Sequence, residues 1–190
     1  MKKNFPCLLM VAVLLCSLCA CSGTGGSKAS ATTEYTKKEA PPPSDAAYHT
    51  PAESFAGGSG TAADPFQIST AEELALLGEV NQEYHEVYNT ACYVLTADIA
   101  LNDVSNFSNW GEEEPEYQWK PIGYRFQGSF DGGGFTISGM YVYAVGLSNR
   151  NAGLFDRVSQ GKLTNVKLTQ SYIAADGTGS ENAYIGLLSG

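Results

Sequence analysis

His85-Glu86-Val87-Tyr88-Asn89 is the nearest approach in this chain to a zinc-hydrolase signature. That chemistry needs His-Glu-x-x-His on a helix, which puts two imidazoles one turn apart on the metal with the glutamate as base. Asn89 stands where the second histidine is required, and the other histidine, His49, lies in a stretch rich in small residues and proline. No metal site is assigned. Sugar-cleaving chemistry needs clustered carboxylates with a basic residue, or a carboxylate pair flanking the scissile bond. Asp98, Asp103 and Asp131, with Lys120 and Arg125, are the candidates. Asp98 and Asp131 sit in turn-like contexts, where a carboxylate bonds its own backbone. No pair is demonstrably convergent, so no catalytic residue is assigned and no cofactor is expected.

Three further constellations have readings of their own. Glu112-Glu113-Glu114-Pro115-Glu116 reads as a solvated acidic loop, because a calcium cage needs ligands at defined spacing and usually a glycine turn among them. Asp131-Gly132-Gly133-Gly134 lacks the Lys-Ser/Thr of a phosphate loop and precedes a strand, so it reads as a tight turn. Aromatic residues are dense between 110 and 130. Trp119, Phe126 and Phe130 are expected in the core. Trp110, Tyr117 and Tyr124 flank the acidic loop and form the candidate ligand-contact patch.

The elements that position these residues begin with an export signal. Lys2 and Lys3 precede an almost unbroken apolar run from Phe5 to Leu18. This is a secretory signal, too short to span a bilayer. Its end, Leu18-Cys19-Ala20-Cys21, resembles a bacterial lipobox with Cys21 as the lipidated residue; Cys19 at −2 departs from the usual small, non-thiol residue. Residues 1–20 are then removed, and the chain is anchored by acyl chains on Cys21, facing the cell exterior. Which membrane carries it depends on the cell envelope. Removal of Lys2 and Lys3 takes the formal charge from −9 to −11. Such acidity argues against nucleic acid and against a polybasic grip on anionic lipid. Of the five cysteines, only Cys92 then remains as a thiol; no intrachain disulfide can form, and Cys92 reads as a small buried apolar residue.

Residues 21–57 are rich in Gly, Ser, Thr, Ala and Pro and read as a flexible tether. The domain is assigned to residues 58–190, with order expected from about Phe66. Thr70 and Glu73 form a capping box opening a short helix, whose apolar face is Leu74, Leu76, Leu77 and Val80 and whose end is expected between Asn81 and Glu83. Beyond Trp119 the chain is short strands punctuated by glycine. Ile137-x-Gly139-Met140-x-Val142 superimposes on Leu163-x-Asn165-Val166-x-Leu168, 26 residues on, and Gly153-Leu154-Phe155 echoes Gly186-Leu187-Leu188, 33 residues on. Matching motifs at unequal spacing suggest coils of one solenoid. Gly139 and Asn165 fall at the expected bends. The fold expected is mainly β: a right-handed parallel β-helix with a short N-terminal capping helix. An antiparallel β-sandwich of the same strands is the alternative.

Several segments together resemble bacterial surface proteins carrying the GLUG motif. They are Asp64-Pro65-Phe66-Gln67-Ile68, Tyr93-Val94-Leu95-Thr96-Ala97-Asp98-Ile99, Trp119-Lys120-Pro121-Ile122-Gly123, and Phe126-Gln127-Gly128-Ser129-Phe130-Asp131-Gly132-Gly133-Gly134, with Gly153-Leu154-Phe155 and Ile185-Gly186-Leu187-Leu188 as the repeat. The resemblance covers about residues 58–190 and implies a right-handed parallel β-helix, found in adhesin-like proteins and in accessory regions of surface metallopeptidases. It implies location and architecture more than chemistry. The stop at Gly190, inside a repeat, suggests a fragment. The function expected is therefore an exported, lipid-anchored, adhesin-like surface protein without catalysis, with a glycan or protein ligand. The alternatives are a carbohydrate-active enzyme and an accessory part of a surface metallopeptidase.

Overall fold

A computed structural model describes residues 46–83, 85–123, 125–144, 151–175 and 184–188. The signal peptide, Cys21 and most of the expected tether lie outside the described residues, as does Tyr124.

The helix starts where the capping box predicts. Thr70 Oγ1 accepts from the Glu73 amide at 3.2 Å, and Glu73 Oε2 accepts from the amides of Ser69 and Thr70 at 2.6 and 3.3 Å. These bonds satisfy donors that the first helical turn would otherwise leave orphaned. Helix α1 runs Ala71–Glu83, followed by the single turn α2, His85–Tyr88. Leu74 and Leu77 are fully buried on the inward face, whereas Leu76 and Val80 border a shallow groove with Phe55, Phe66 and Tyr88. Asn81 shares the inward face and is also fully buried, yet neither side-chain polar atom has a hydrogen-bond partner. Leaving such groups dry and unpaired costs about 1–3 kcal/mol. Asn81→Leu is therefore expected to raise stability by about 1–2 kcal/mol, read from urea unfolding; a loss of stability would show that the cavity holds a polar partner.

The remaining elements are strands of two to four residues. They are β1 (Ala47–Tyr48), β2 (Phe66–Ile68), β3 (Cys92–Leu95), β4 (Ile99–Ala100), β5 (Tyr117–Gln118), β6 (Ser129–Asp131), β7 (Thr136–Ser138), β8 (Tyr141–Ala144), β9 (Lys162–Thr164), β10 (Lys167–Thr169) and β11 (Tyr172–Ala175). They form four sheets, ordered β2-β3-β6-β9, β10-β7-β4, β11-β8 and β1-β5. Every ladder is parallel.

Both expected architectures are corrected by this arrangement. A parallel β-helix does not form: the described strands fall into four separate sheets of two, three, two and four strands, with no closed solenoid among them. Asn, Asp and Gly turns interrupt the chain every few residues, so the strands stay short and two of the sheets have only one pairing. An antiparallel sandwich is excluded by the parallel ladders; the antiparallel contact among the described residues is a single bridge, Gly57 to Gln67.

The 26-residue superposition also slips. Ile137 pairs with Leu168, and Leu163 pairs with Phe130. The turn between β6 and β7 is longer than that between β9 and β10, because it holds Gly133 and Gly134 at φ 59° and 87°. That turn changes the ladder offset from 33 residues (Phe130 to Leu163) to 31 (Ile137 to Leu168), whereas the 26-residue superposition sets β7 on β9, strands that are not partners. The 33-residue echo does align, since Ala152 bridges Ile185 in parallel and the Gly186 amide donates to the Ala152 carbonyl at 2.9 Å. Asn165 adopts φ 53° at its bend.

The core is the inward residue of each strand, repeated through the ladders. Tyr93 is the ladder partner of Phe130, and Ile99 of Ile137. Trp119, Phe126 and Phe130 are buried as expected, beside Ile122, Leu154 and Phe155. Cys92 is a free, half-buried thiol on β3. The ordered fold begins before Phe66. Residues 46–57, assigned from composition to the tether, lie against the domain: β1 pairs with β5, the Ala52 amide donates to the Glu72 carbonyl, and Phe55 stacks on Phe66. Tyr48, His49 and Phe55 supply the apolar and aromatic contacts that a solvated tether lacks.

Candidate ligand-binding clefts

The N-terminal arm divides two clefts. The first, of about 600 Å³, lies between the arm, the start of α1, the loop after β4 and the acidic loop. Asn102 builds its wall. This buried side chain donates from Nδ2 to the carbonyls of Tyr117 at 2.7 Å and Gly139 at 2.9 Å, and accepts from the Tyr117 amide at 2.8 Å. One side chain thus substitutes for ladder pairing between β5 and the bend after β7. The bend must be glycine: at φ 75°, a Cβ on Gly139 would sit 2.8 Å from both the amide nitrogen and the carbonyl oxygen of Asn102.

Tyr117, held by Asn102, carries the arm. Its ring stacks on His49 at 4.3 Å and 21°, and His49 Nε2–H donates to the Leu101 carbonyl at 2.8 Å. Hydrogen bonding to the neighbouring Glu116 carboxylate, followed by its charge, pushes the Tyr117 phenol above its ordinary range. On the opposite wall Asn106 Nδ2 donates to Glu113 at 2.8 Å, tying the acidic loop to the turn before the 3-10 helix Phe107–Asn109. Glu72, Asp103, Glu113, Glu114 and Glu116 all line this cleft, with His49. Carboxylates gathered around a concave surface focus a negative potential that draws cationic groups.

The second cleft, about 480 Å³, lies on the other side of the arm, where Tyr48, Pro51, Ala75, Glu79, Trp119 and Lys120 line it. Tyr48 is 52% exposed. Its lining mixes both charges with aromatic surface.

The candidate patch of Trp110, Tyr117 and Tyr124 is only partly placed by the structure. Trp110 is buried rather than exposed, packed edge-to-face on Tyr141 at 6.0 Å and on Phe107 at 5.1 Å, and lines the first cleft. Tyr117 is half-buried beneath His49 and also lines that cleft. The acidic-loop context suggested exposure, but β8 supplies an apolar neighbour for Trp110 that the local sequence does not reveal. Two wall residues, Asn102 and His49, carried no local signal either. Asn102 is one of many asparagines in turns, and His49 sits in a stretch of tether-like composition.

The acidic candidates for sugar chemistry accept hydrogen bonds from the fold, Asp103 within its own turn and Asp98 from a remote strand. Asp98 Oδ1 accepts from the Thr136 amide at 2.7 Å. Asp103 accepts from the Ser105 amide and hydroxyl at 2.9 and 3.0 Å, and these bonds, the backbone one foremost, lower its carboxyl below the ordinary value. Asp131 Oδ1 accepts from the Gly133 amide and Asn165 Nδ2, both at 2.9 Å, which lowers its carboxyl likewise. Lys120 lines the second cleft, and Arg125 adopts φ 50° on the surface. His85 lies in α2; its side chain and that of Glu86 fall outside the described residues. Among the described residues no three His, Cys, Asp or Glu side chains gather to hold a metal.

The Asp131 hydrogen bonds give a signed pH dependence. The fold favours the carboxylate, so the unfolded chain takes up the proton at higher pH than the folded one. The stabilisation is complete above the ordinary carboxylate value of about 4 and is lost as pH falls through the lower folded value. The stability difference between wild type and Asp131→Asn is therefore expected to shrink between about pH 6 and about pH 3. Urea midpoints across that range check it; a constant difference would show that the charge contributes nothing.

No family model matches this chain, and no solved structure matches it. It is similar to a protein of Evansella cellulosilytica named "Putative Gly-rich membrane protein", with 32% identity over 140 residues. That alignment covers 72% of this chain but 14% of the relative, so the chain spans about a seventh of the relative's length. The relative's name is compatible with a membrane or surface location for this chain. Among the described residues no helix is long and apolar enough to cross a membrane.

Proposed function

We propose that this chain is an exported surface protein, held to a membrane through lipid on Cys21, whose domain binds a ligand without transforming it. The observation that carries the binding role is the first cleft. Its wall is fixed by Asn102, its aromatic surface comes from Tyr117 and His49, and five carboxylates border it. Asp103, which belongs to that border, is engaged by its own turn, an arrangement suited to shape and charge rather than to proton transfer. The apolar run ending at Cys21 and the membrane-protein relative support the location. The GLUG-like segments support an adhesin-like reading, and the greater length of the relative favours a role as one module of a larger surface polypeptide.

Two experiments test the reading. Cys21→Ser is expected to abolish incorporation of a fatty-acid label and to move the protein from the membrane fraction to the soluble one; retention in the membrane would overturn the lipid anchor. Probing the chain against glycan and host-protein arrays is expected to give a ligand whose binding falls at least tenfold in Tyr117→Ala and in Glu113→Gln. Cleavage of a polysaccharide, with no retained ligand, would replace the binding role with an enzymatic one.

A further inference from the structure

β5 shares its side chains between the two clefts. Successive strand residues point to opposite faces, so Tyr117 lines the first cleft and Gln118 the second. Tyr48 is the ladder partner of Gln118 and joins it on that side. The facing wall is α1, where Ala75, Gly78 and Glu79 lie on one stripe at i, i+3 and i+4. Gly78 is the residue that helix and packing do not explain. Glycine is the poorest helix former after proline, yet Gly78 sits inside α1. No positive φ requires it, and outside its own helical backbone the nearest atom a Cβ would meet is Ile122 Cα at 3.9 Å, an ordinary contact. The missing side chain leaves space in the cleft. The groups around that space have two characters. Tyr48, 52% exposed, Pro51 and the ring of Trp119 offer apolar surface; the Trp119 Nε1–H already donates to the Leu154 carbonyl at 3.1 Å. Glu79 and Lys120 are exposed and offset each other in charge, and among the described residues neither is engaged in a hydrogen bond or ion pair. Gln118 Nε2 donates to the Ala46 carbonyl at 2.7 Å, which leaves the amide oxygen as an acceptor.

We propose that this second cleft binds a short, neutral saccharide. A sugar ring carries C–H groups on its faces and hydroxyls around its rim. The faces pack on an aromatic ring such as Tyr48. Each hydroxyl both donates and accepts, so it satisfies a carboxylate, an ammonium and an amide oxygen alike. A purely apolar ligand would strip water from Glu79 and Lys120 and return no hydrogen bond. An anion or a cation would meet one of the two as a like charge. The volume of about 480 Å³ falls in the range of small-molecule sites, roughly 300–1,000 Å³. The site stands whether or not the first cleft holds a ligand.

Ligand-observed NMR of the full chain, in a detergent without sugar headgroups, tests the proposal. The probes are free cellobiose, maltose, lactose and N,N′-diacetylchitobiose, with L-phenylalanine as a zwitterion for comparison. At least one disaccharide is expected to bind at millimolar concentration. Gly78→Ala is expected to weaken that binding at least tenfold while raising the unfolding midpoint, because alanine favours the helix; a merely structural role would not separate the two. Tyr48→Ala is expected to weaken binding likewise, and Val87→Lys, 68% exposed on α2, to leave it unchanged. Binding of none of the disaccharides overturns the proposal, and so does binding of L-phenylalanine alone. A disaccharide whose binding Gly78→Ala leaves intact overturns the assignment to this cleft, and its release by Tyr117→Ala instead would place it in the first.

Discussion

Phe130→Ala is expected to lower the stability of the domain by about 3–5 kcal/mol, the range for truncating a fully buried aromatic side chain. Phe130 is 0% exposed at the centre of β6, with Tyr93 beside it on β3 and Leu163 on β9. Its ring also meets Phe155 edge-to-face at 5.5 Å and 78°. The truncation therefore opens a cavity bordered by three strands and removes an aromatic pair. β6 itself is short and held by parallel ladders on both sides, so its backbone has little room to collapse into the space. Denaturant unfolding should show a lower midpoint at unchanged slope. A loss below about 1 kcal/mol would mean that the core at this point is loosely packed.

Asn102→Leu is expected to cost about 3 kcal/mol, although leucine is close to asparagine in size. The cost comes from the three backbone groups left behind: the Tyr117 amide, the Tyr117 carbonyl and the Gly139 carbonyl. Orphaning a buried group costs about 1–3 kcal/mol, and the adjoining cleft lets water recover part of it. Asn102→Asp should lie between, because a carboxylate still accepts from the Tyr117 amide but cannot donate to either carbonyl. The variant also has a local signature. With β5 released, the Tyr117–His49 stack loosens, and limited proteolysis within residues 46–57 should accelerate severalfold while the core persists. Under the proposed binding role, ligand retention at the first cleft falls with it. Wild-type stability together with wild-type cleavage of the arm would show that Asn102 does not hold the wall.

These two positions differ in how far the sequence announced them. Phe130 was legible: an aromatic residue in a short strand next to a glycine turn has nowhere to go but the core. Asn102 was not, because asparagine in a turn-rich stretch most often bonds its own backbone, and nothing local names Tyr117 or Gly139 as partners. The same divide runs through the clefts. The capping box at Thr70 and Glu73 formed as spacing alone required, since both partners lie within one helical turn. Trp110 turned inward because Tyr141, remote in sequence, offered an apolar neighbour.

By itself the sequence determined the local features: the start and end of α1, the tight turn at Asp131, and the bends at Gly139 and Asn165. Each depends on residues a few positions apart, where steric limits on φ and short-range hydrogen bonds act directly. The tertiary structure decided which strands pair, that they form four small parallel sheets rather than one solenoid, and that the arm from residue 46 closes against β5 to divide the two clefts. Those outcomes depend on contacts between residues tens of positions apart. Loop lengths and the fit of side chains across a ladder set them, and a change of turn length such as Gly133-Gly134 shifts the register without altering the local pattern of apolar residues.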